Sequence, residues 1–397
     1  MAGPFSVRQW DLFAQLESAF GTSPGALAGT DAFKSRTANP FKRVVARYDR
    51  DKDSGNQASV LSTQKGKEHS TYSVASDVIP SGNAATPTAA DMDPFFEAHF
   101  GLKHTATAHT TLAAGSTTTV LNFAVGGVAA SGVAVGDLIA VDVSVAFGVE
   151  VRQIPTGGIT GDAVTVDRAL SAAPAAARNV YLGTTYSLSA AQLKTLHLWG
   201  YLDGDNFRHK TAGNSVRSMD LSCDFSSQTP IAEVTFAGEG KAVETHATAR
   251  PTAVTAGDAL LPTEGKVWIG SSAVLCAVKA ALKSDNALEL RQNESCTLVP
   301  SGVKRTGNGG NFNVTQDLDM LLLTGAVEGY YDNAAALTAY DVLTQLGVTP
   351  GKIVAWRTPK FILDAEAGDQ DGEVSLQMTG RAYALTTPGT EVTLAFI

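Results

Sequence analysis

Charge, aromatic side chains and cysteine are all scarce in this 397-residue chain. Charged residues make up 17%, against roughly 25% in an ordinary soluble domain, so much of the surface is expected to be covered by something other than water, such as neighbouring subunits. Aromatics supply 7% while hydrophobic residues reach 44%, so Ala, Val and Leu carry an apolar load too large for a disordered chain. The three cysteines, Cys223, Cys276 and Cys296, are odd in number and lack CxxC spacing. They read as small buried hydrophobes in a reducing compartment, without metal or disulfide chemistry. Base is short as well: 30 Lys and Arg stand against 39 Asp and Glu, a formal net charge of -9, which argues against a protein that grips nucleic acid through a phosphate-neutralising face. The most apolar stretch, 125–151, is interrupted by Gly126, Gly127, Gly132, Gly136, Asp137 and Asp142. A membrane span needs ~20 nearly unbroken apolar residues, so no membrane partner is expected. The opening residues lack a basic segment followed by a long apolar one, and no signal peptide is expected.

Catalytic and ligand-binding signatures are missing too. There is no GxSxG elbow and no HExxH helix. His99, His104 and His109 are spaced by five, which suits neither one helix face nor one strand face, so shared metal ligation is not expected. Asp49-Arg50-Asp51-Lys52-Asp53-Ser54-Gly55 resembles the start of a calcium loop, but Ser54 stands where the turn glycine belongs and Val60 where the bidentate carboxylate belongs. The cluster Gly307-Asn308-Gly309-Gly310 lacks the Gly-Lys-Ser/Thr ending of a phosphate loop. Gly238-Glu239-Gly240-Lys241 reads as a turn or bulge, and Asp203/Asp205 and Asp369/Asp371 as turn residues. No catalytic residue, metal or cofactor is assigned.

What the chain does have is period-two alternation. Met219, Leu221, Cys223 and Phe225 alternate with Ser218, Asp220, Ser222 and Asp224, the pattern of a strand with one buried and one wet face. Residues 232–236 repeat it after Ser-Ser-Gln-Thr-Pro, so the two strands are expected to pair. Residues 373–379 and 391–397 alternate again. Helices are few: 90–101, with Asp before Pro94 and Gly101 as its stop, 333–347, and 11–20, stopped by Gly21. Residues 107–183 differ from their flanks, being poor in charge and built of short apolar runs between turns, which predicts an inserted small β domain within a host of 1–106 and 184–397. Residues 31–68 run against the acidic trend, with nine bases and five acids, and read as a long polar loop or arm. The fold class is mainly β: a β-sandwich or rolled barrel with a flanking short helix and the inserted domain.

With these strands in place, the chain resembles the bacteriophage tail tube (major tail) proteins. Glu17-Ser18-Ala19-Phe20-Gly21-Thr22-Ser23-Pro24 resembles the E-x-x-(F/Y)-G-T-x-P opening of that family. Residues 77–82 leading into 92–101 are similar to its strand and short helix. Residues 221–225 with 232–240 look like its central strand pair, and 372–382 like its closing strands. The Gly136-Asp137 segment resembles small β insertions found in such proteins. Each patch is a loose pattern, and their order along the chain carries the resemblance.

The resemblance implies a structural subunit and not an enzyme: hexameric rings that stack into a tube through which double-stranded DNA passes during ejection, without specific binding. It implies self-association and contact with other tail proteins, a place in the virion tail, and synthesis in the host cytoplasm. An acidic, polar lumen would repel the phosphate backbone. On this reading Asp220, Ser222, Asp224, Glu233 and Thr235 are lumen candidates, although alternation alone suits an outer sheet facing bulk solvent equally well. Lys42, Arg43, Arg47, Arg50 and Lys52 are candidates for an arm bridging rings, and the insert would project outward. The alternative is a virion decoration protein or β-sandwich binding module that uses the insert for recognition.

Overall fold

Alternation becomes antiparallel pairing throughout the described residues. The structure, a computed structural model, describes residues 10–37, 40–49, 63–81, 83–189, 193–202, 206–253, 257–261, 264–270, 272–274, 277–292, 300–306, 312–321, 328–370, 373–385 and 389–397. The main sheet is built in chain order from β1 (Trp10–Leu16), β2 (Phe41–Asp49), β3 (Thr63–Asp77), β4 (Gly101–Thr105), β5 (Thr184–Leu188), β6 (Thr195–Leu202) and β7 (Phe207–Asp224). It continues with β8 (Glu233–Gly240), β9 (Ala277–Asp285), β10 (Asn313–Leu321), β11 (Ala339–Leu346), β12 (Val354–Gln370), β13 (Glu373–Ala382) and β14 (Thr393–Phe396). Shorter strands join at its margins, and among the described residues none of the sheets closes into a barrel. The expected mainly β class is what the chain adopts.

Two long strands organise this sheet. Along one edge of β7 the first half pairs with β6 and the second half with β9, while β8 takes the other edge of the second half. Likewise β12 pairs first with β14 and then with β13 along one edge, and with β11 on the other. A run β3-β8-β7-β9-β10-β13-β12 results, with β6-β1 branching from β7 and β14-β5-β4 from β12. Helix α1 (Asp93–Phe100) packs against β7 and against both branches. Pro94 suits its first turn and Gly101 follows its last residue. Phe95, Phe96, Ala98, His99 and Phe100 are all buried, so this helix has little wet face. The Phe96 ring meets Phe236 edge to face at 5.0 Å and Phe396 at a tilt at 4.8 Å, joining β8 to β14 through the core.

The Glu17 motif has a local role. Buried Glu17 accepts hydrogen bonds from the amides of Gly21 (2.7 Å) and Gly213 (2.8 Å) and from the Thr195 hydroxyl (2.7 Å). Each of these donors, if buried without a partner, would cost about 1–3 kcal/mol. Gly213 has φ +64°, and a Cβ there would strike the Phe20 ring, so Glu17, Phe20 and Gly21 together pin the chain after β1 onto the β6–β7 hairpin.

Residues 107–183 fold into two small sheets around their own apolar cluster, which includes Leu121, Phe123, Ile139, Val141, Ile154, Val164 and Val180. The hairpin Leu138–Ser144/Gly148–Gln153 turns its other face to the main sheet. There Leu138, Ala140 and Val151 pack against Trp268, Leu343, Ile353, Ala355 and Ala395. Polar links seal the contact. Gln345 exchanges hydrogen bonds with the Val151 amide (3.0 Å) and the Val149 carbonyl (3.2 Å), and Asp341 pairs with both Arg168 (2.8 Å) and Arg357 (2.6 Å). The Arg152 guanidinium lies 4.8 Å above the Trp268 ring and pairs with Glu150 at 2.7 Å. Burial pulls its pKa down to about 10, so it stays charged at neutral pH. The β11–β12–β14 part of the main sheet is therefore covered on both faces.

Several local expectations are corrected. Residues 11–16 form a strand and not a helix, because Leu12, Phe13 and Ala14 are buried on both faces when β1 pairs with β6. In 333–347 the helix Glu328–Ala335 ends early; Leu337 adopts φ +53° and β11 follows. Its run Val342–Leu346 is buried on both sides, a pattern that apolar content alone cannot distinguish from a helix. Within the arm, the described residues 41–49 and 63–68 are paired strands and not loop, with β2 paired to β3 from Phe41↔Tyr72 to Asp49↔Thr63. Gly238 and Gly240 complete β8 instead of forming a turn: at Gly238 a Cβ would collide with the Ser215 carbonyl, and the bulge lies in β7 between Val216 and Ser218. Cys223 is buried as expected, whereas Cys276, Cys296, the glycines at 307–310, and Asp203, Asp205 and Asp371 lie outside the described residues.

Two stability predictions follow from the core. Phe96→Ala should lower the unfolding free energy by about 3–5 kcal/mol in a denaturant titration, since it opens a cavity between α1, β8 and β14. His99 is wholly buried, with Asn286 donating to its Nδ1 at 3.2 Å, and burial depresses its pKa to about 3. The unfolded chain takes up this proton near pH 6.5 and the native chain does not, so stability is full above that pH and falls as pH drops toward 3. Between pH 7 and 5 this group should remove about 2 kcal/mol, and His99→Gln should flatten the pH dependence by that amount; an unchanged slope would contradict the assignment.

Candidate functional site

Opposite residues in an antiparallel pair point to the same side of a sheet. One row therefore crosses the whole seven-strand run: Asp77, Glu233, Ser222, Ala281, Asp317, Thr379, Asp364. A second runs Ala75, Thr235, Asp220, Lys283, Thr315, Arg381, Ile362, and a third Asp224, Lys279, Asp319, Gln377, Glu366. All five lumen candidates lie on this face, while Met219, Leu221, Cys223, Val234 and Phe236 point the opposite way into the core. At ~4.8 Å per strand the first two rows extend for about 29 Å.

The rows hold eight carboxylates (Asp77, Asp220, Asp224, Glu233, Asp317, Asp319, Asp364, Glu366) against three cations (Lys279, Lys283, Arg381). Arg36 pairs with both Asp77 and Glu233 at the β3 end. Lys283 Nζ lies 3.1 Å from Asp317, whose hydrogen bond and charge raise the lysine pKa. Asp220 and Asp319 are half-buried, and burial, with Asp317 close by, holds both above the usual carboxylate range. At the β12 end a groove of about 550 Å³ is lined by Lys283, Asp317, Asp364, Thr379 and Arg381, with Ala334, Leu337 and Ile362 as its apolar wall.

Sequence reading reached only β7 and β8 of this surface. The missed residues sit on β3, β9, β10, β12 and β13, yet a signal was present: Val314, Gln316 and Leu318 alternate with Thr315, Asp317 and Asp319. Gln316 at an inward position hides the pattern. It is fully buried and satisfied there by Thr344 (3.1 Å) and Thr358 (3.0 Å).

The hairpin β2–β3 extends past the end of β8, which reaches only Ser70 of β3. Arg43 and Arg47 line a groove of about 580 Å³ with Val45 and Lys65, whereas neighbouring Lys42 faces the other side of the strand. Buried Glu68 pairs with Arg43 and Lys65, and the Arg43 hydrogen bond holds its carboxyl below the usual range in spite of burial. Arg50 and Lys52 lie outside the described residues, as does the calcium-like segment beyond Asp49. The three spaced histidines have separate partners: His99 meets Asn286, His104 meets Asp137 at 2.9 Å, and His109 accepts from the Leu182 amide at 3.0 Å. Among the described residues no group of three or more His, Cys, Asp or Glu is placed to hold a metal ion.

The arrangement is a broad, wet, acid-rich sheet face beside a basic hairpin. More than half of the chain, residues 157–382, matches the sequence model of a family described as phage tail tube protein. The chain belongs to that family. The match takes in every strand of the polar face except β3, and it begins inside the 107–183 segment. Of the patches that carry the resemblance, 221–225, 232–240 and 372–382 fall within it, while 16–24 and 77–101 precede it. No curated protein matches the chain. Membership makes this a structural protein of the phage tail tube and implies assembly with copies of itself and with other tail proteins in the virion tail.

Proposed function

We propose that this tail tube protein forms hexameric rings that stack into a conduit, with the acid-rich face of β3-β8-β7-β9-β10-β13-β12 lining the lumen. The observation that carries this reading is the shared register of those strands beyond the irregularities at 216–218 and 277–279, which collects eight carboxylates on one wet face of a tail tube protein. A surface that repels phosphate lets DNA pass during ejection without being held. Asp220, Ser222, Asp224, Glu233 and Thr235 are then lumenal, joined by Asp317, Asp319, Asp364 and Glu366. No catalysis and no cofactor are part of this function. Head-to-tail contacts around a closed rotation make the ring.

The 31–68 arm, with Lys42, Arg43, Arg47, Arg50 and Lys52 as its basic residues, reaches to the next ring, where acid on a neighbouring copy complements it. Residues 107–183 form a separate small domain, inserted in a host of 1–106 and 184–397, and lie on the outside of the tube because their bulk would block a conduit. The protein is made in the host cytoplasm and resides in the virion tail.

Negative-stain electron microscopy of the concentrated protein tests the reading. Rings with a central hole, or tubes, are expected, and a strict monomer at every concentration would contradict it. Removing 31–68 would also strip Phe33 and Phe41 from the core, so the hairpin is better tested by charge reversal. Lys42→Glu with Arg47→Glu should leave rings intact and shorten or abolish tubes; tubes of unchanged length would overturn the bridging role.

A further inference from the structure

We propose that Lys279 and Lys283 are latent phosphate-binding cations, which the carboxylates on the strands either side keep from engaging DNA. This rests on the reading of the polar face as a surface past which DNA moves. Both lysines stand on β9, in the middle of the seven-strand run, and both are exposed on the wet face. Lys279 is directly opposite Asp224 on β7 and Asp319 on β10. Lys283 is directly opposite Asp220 on β7, and its Nζ is 3.1 Å from Asp317 on β10. Each cation is thus flanked by acid across both ladders, within about one strand spacing.

The geometry around the lysines is otherwise that of a phosphate-contacting surface. Four residues apart on one strand, they lie about 13 Å from each other along it. Arg381 occupies the same row as Lys283 two strands further on, and both line the groove that also holds Asp317 and Asp364. Three cations on an open sheet face would hold DNA electrostatically, because each phosphate they neutralise releases condensed counterions. A lysine whose charge is already balanced by neighbouring carboxylates offers a phosphate little. Exposed ion pairs of this kind add little to stability, so holding the fold together does not explain the flanking acids. Their effect falls instead on the partner: a polyanion in transit finds hydrogen-bonding groups on this face and, on β9, cations already countered by acid.

The test is binding of a fluorescein-labelled 30-base-pair duplex to the full-length protein at 50 and 200 mM salt, at protein concentrations below those of assembly. Asp317→Asn with Asp319→Asn should bind at least about tenfold more tightly than the unaltered chain at low salt, and the gain should fall steeply at high salt. Adding Lys279→Gln and Lys283→Gln should abolish the gain. Asp258→Asn with Glu264→Gln changes net charge equally on exposed residues outside these rows and should have no effect. Thermal melts confirm that each variant is folded, and Asp317→Asn alone, expected to give at least about a threefold gain, serves if the double variant is not. The proposal is overturned if the Asn variants at 317 and 319 bind no more tightly than the unaltered chain, if the gain survives loss of both lysines, or if the Asp258/Glu264 control gains as much. Because dispersed subunits are measured, this outcome is independent of whether the face lines a lumen, which the assembly experiment decides.

Discussion

Residues opposite each other in an antiparallel ladder share a face, so the register that carries Met219, Leu221 and Cys223 into the core carries Asp220, Ser222 and Asp224 out of it. Seven strands keep this register in common, and a slip of one residue anywhere would exchange acid for aliphatic side chains across that strand. The apolar core and the polar surface are therefore specified by the same pairing. That coupling explains how a chain with few charges can concentrate so many carboxylates on one face. Its low aromatic content fits as well, since most positions in the ladders need only a small or branched side chain, and the rings gather around α1, where Phe95 and Phe96 meet Phe236 and Phe396.

The long strands β7 and β12 allow one sheet to serve more than one layer. Where β12 leaves the polar face it enters a region covered on one side by the main core and on the other by the 107–183 hairpin. The second contact is as deliberate as the first. Arg152 over Trp268, Gln345 bonded to the hairpin backbone, and Asp341 between Arg168 and Arg357 set opposite charge, a ring face or a hydrogen-bonding group beside polar side chains at the contact. A buried charge left without its partner is costly, so this network favours a fixed seat for the segment over a tether.

Much of this was legible in the chain. The strands at 216–225 and 232–236 alternate cleanly because one side meets apolar core and the other water, and the helix at 93–100 announces itself through Pro94 and Gly101. Elements covered on both sides were not legible. Residues 11–16 and 342–346 lose their alternation because neither face is wet, and they read as helix. The hairpin at 41–77 was hidden for the opposite reason: its outer part has little core to face, and its charges look like those of a loop. The full width of the polar face was also out of reach, since it depends on which strands are neighbours. Sequence order gives β7 beside β8, but not β7 beside β9 or β10 beside β13.

Membership of the tail tube family and a wide acidic face lead to one central claim, that this face encloses the conduit. A helical reconstruction of assembled tubes by electron cryomicroscopy measures it directly, because it gives the radius of every side chain from the tube axis. The account predicts that Asp220, Asp224, Glu233, Asp317 and Asp319 lie at the smallest radii, with 107–183 at the largest. A tube in which this face points outward, or is sealed between neighbouring subunits, would contradict it.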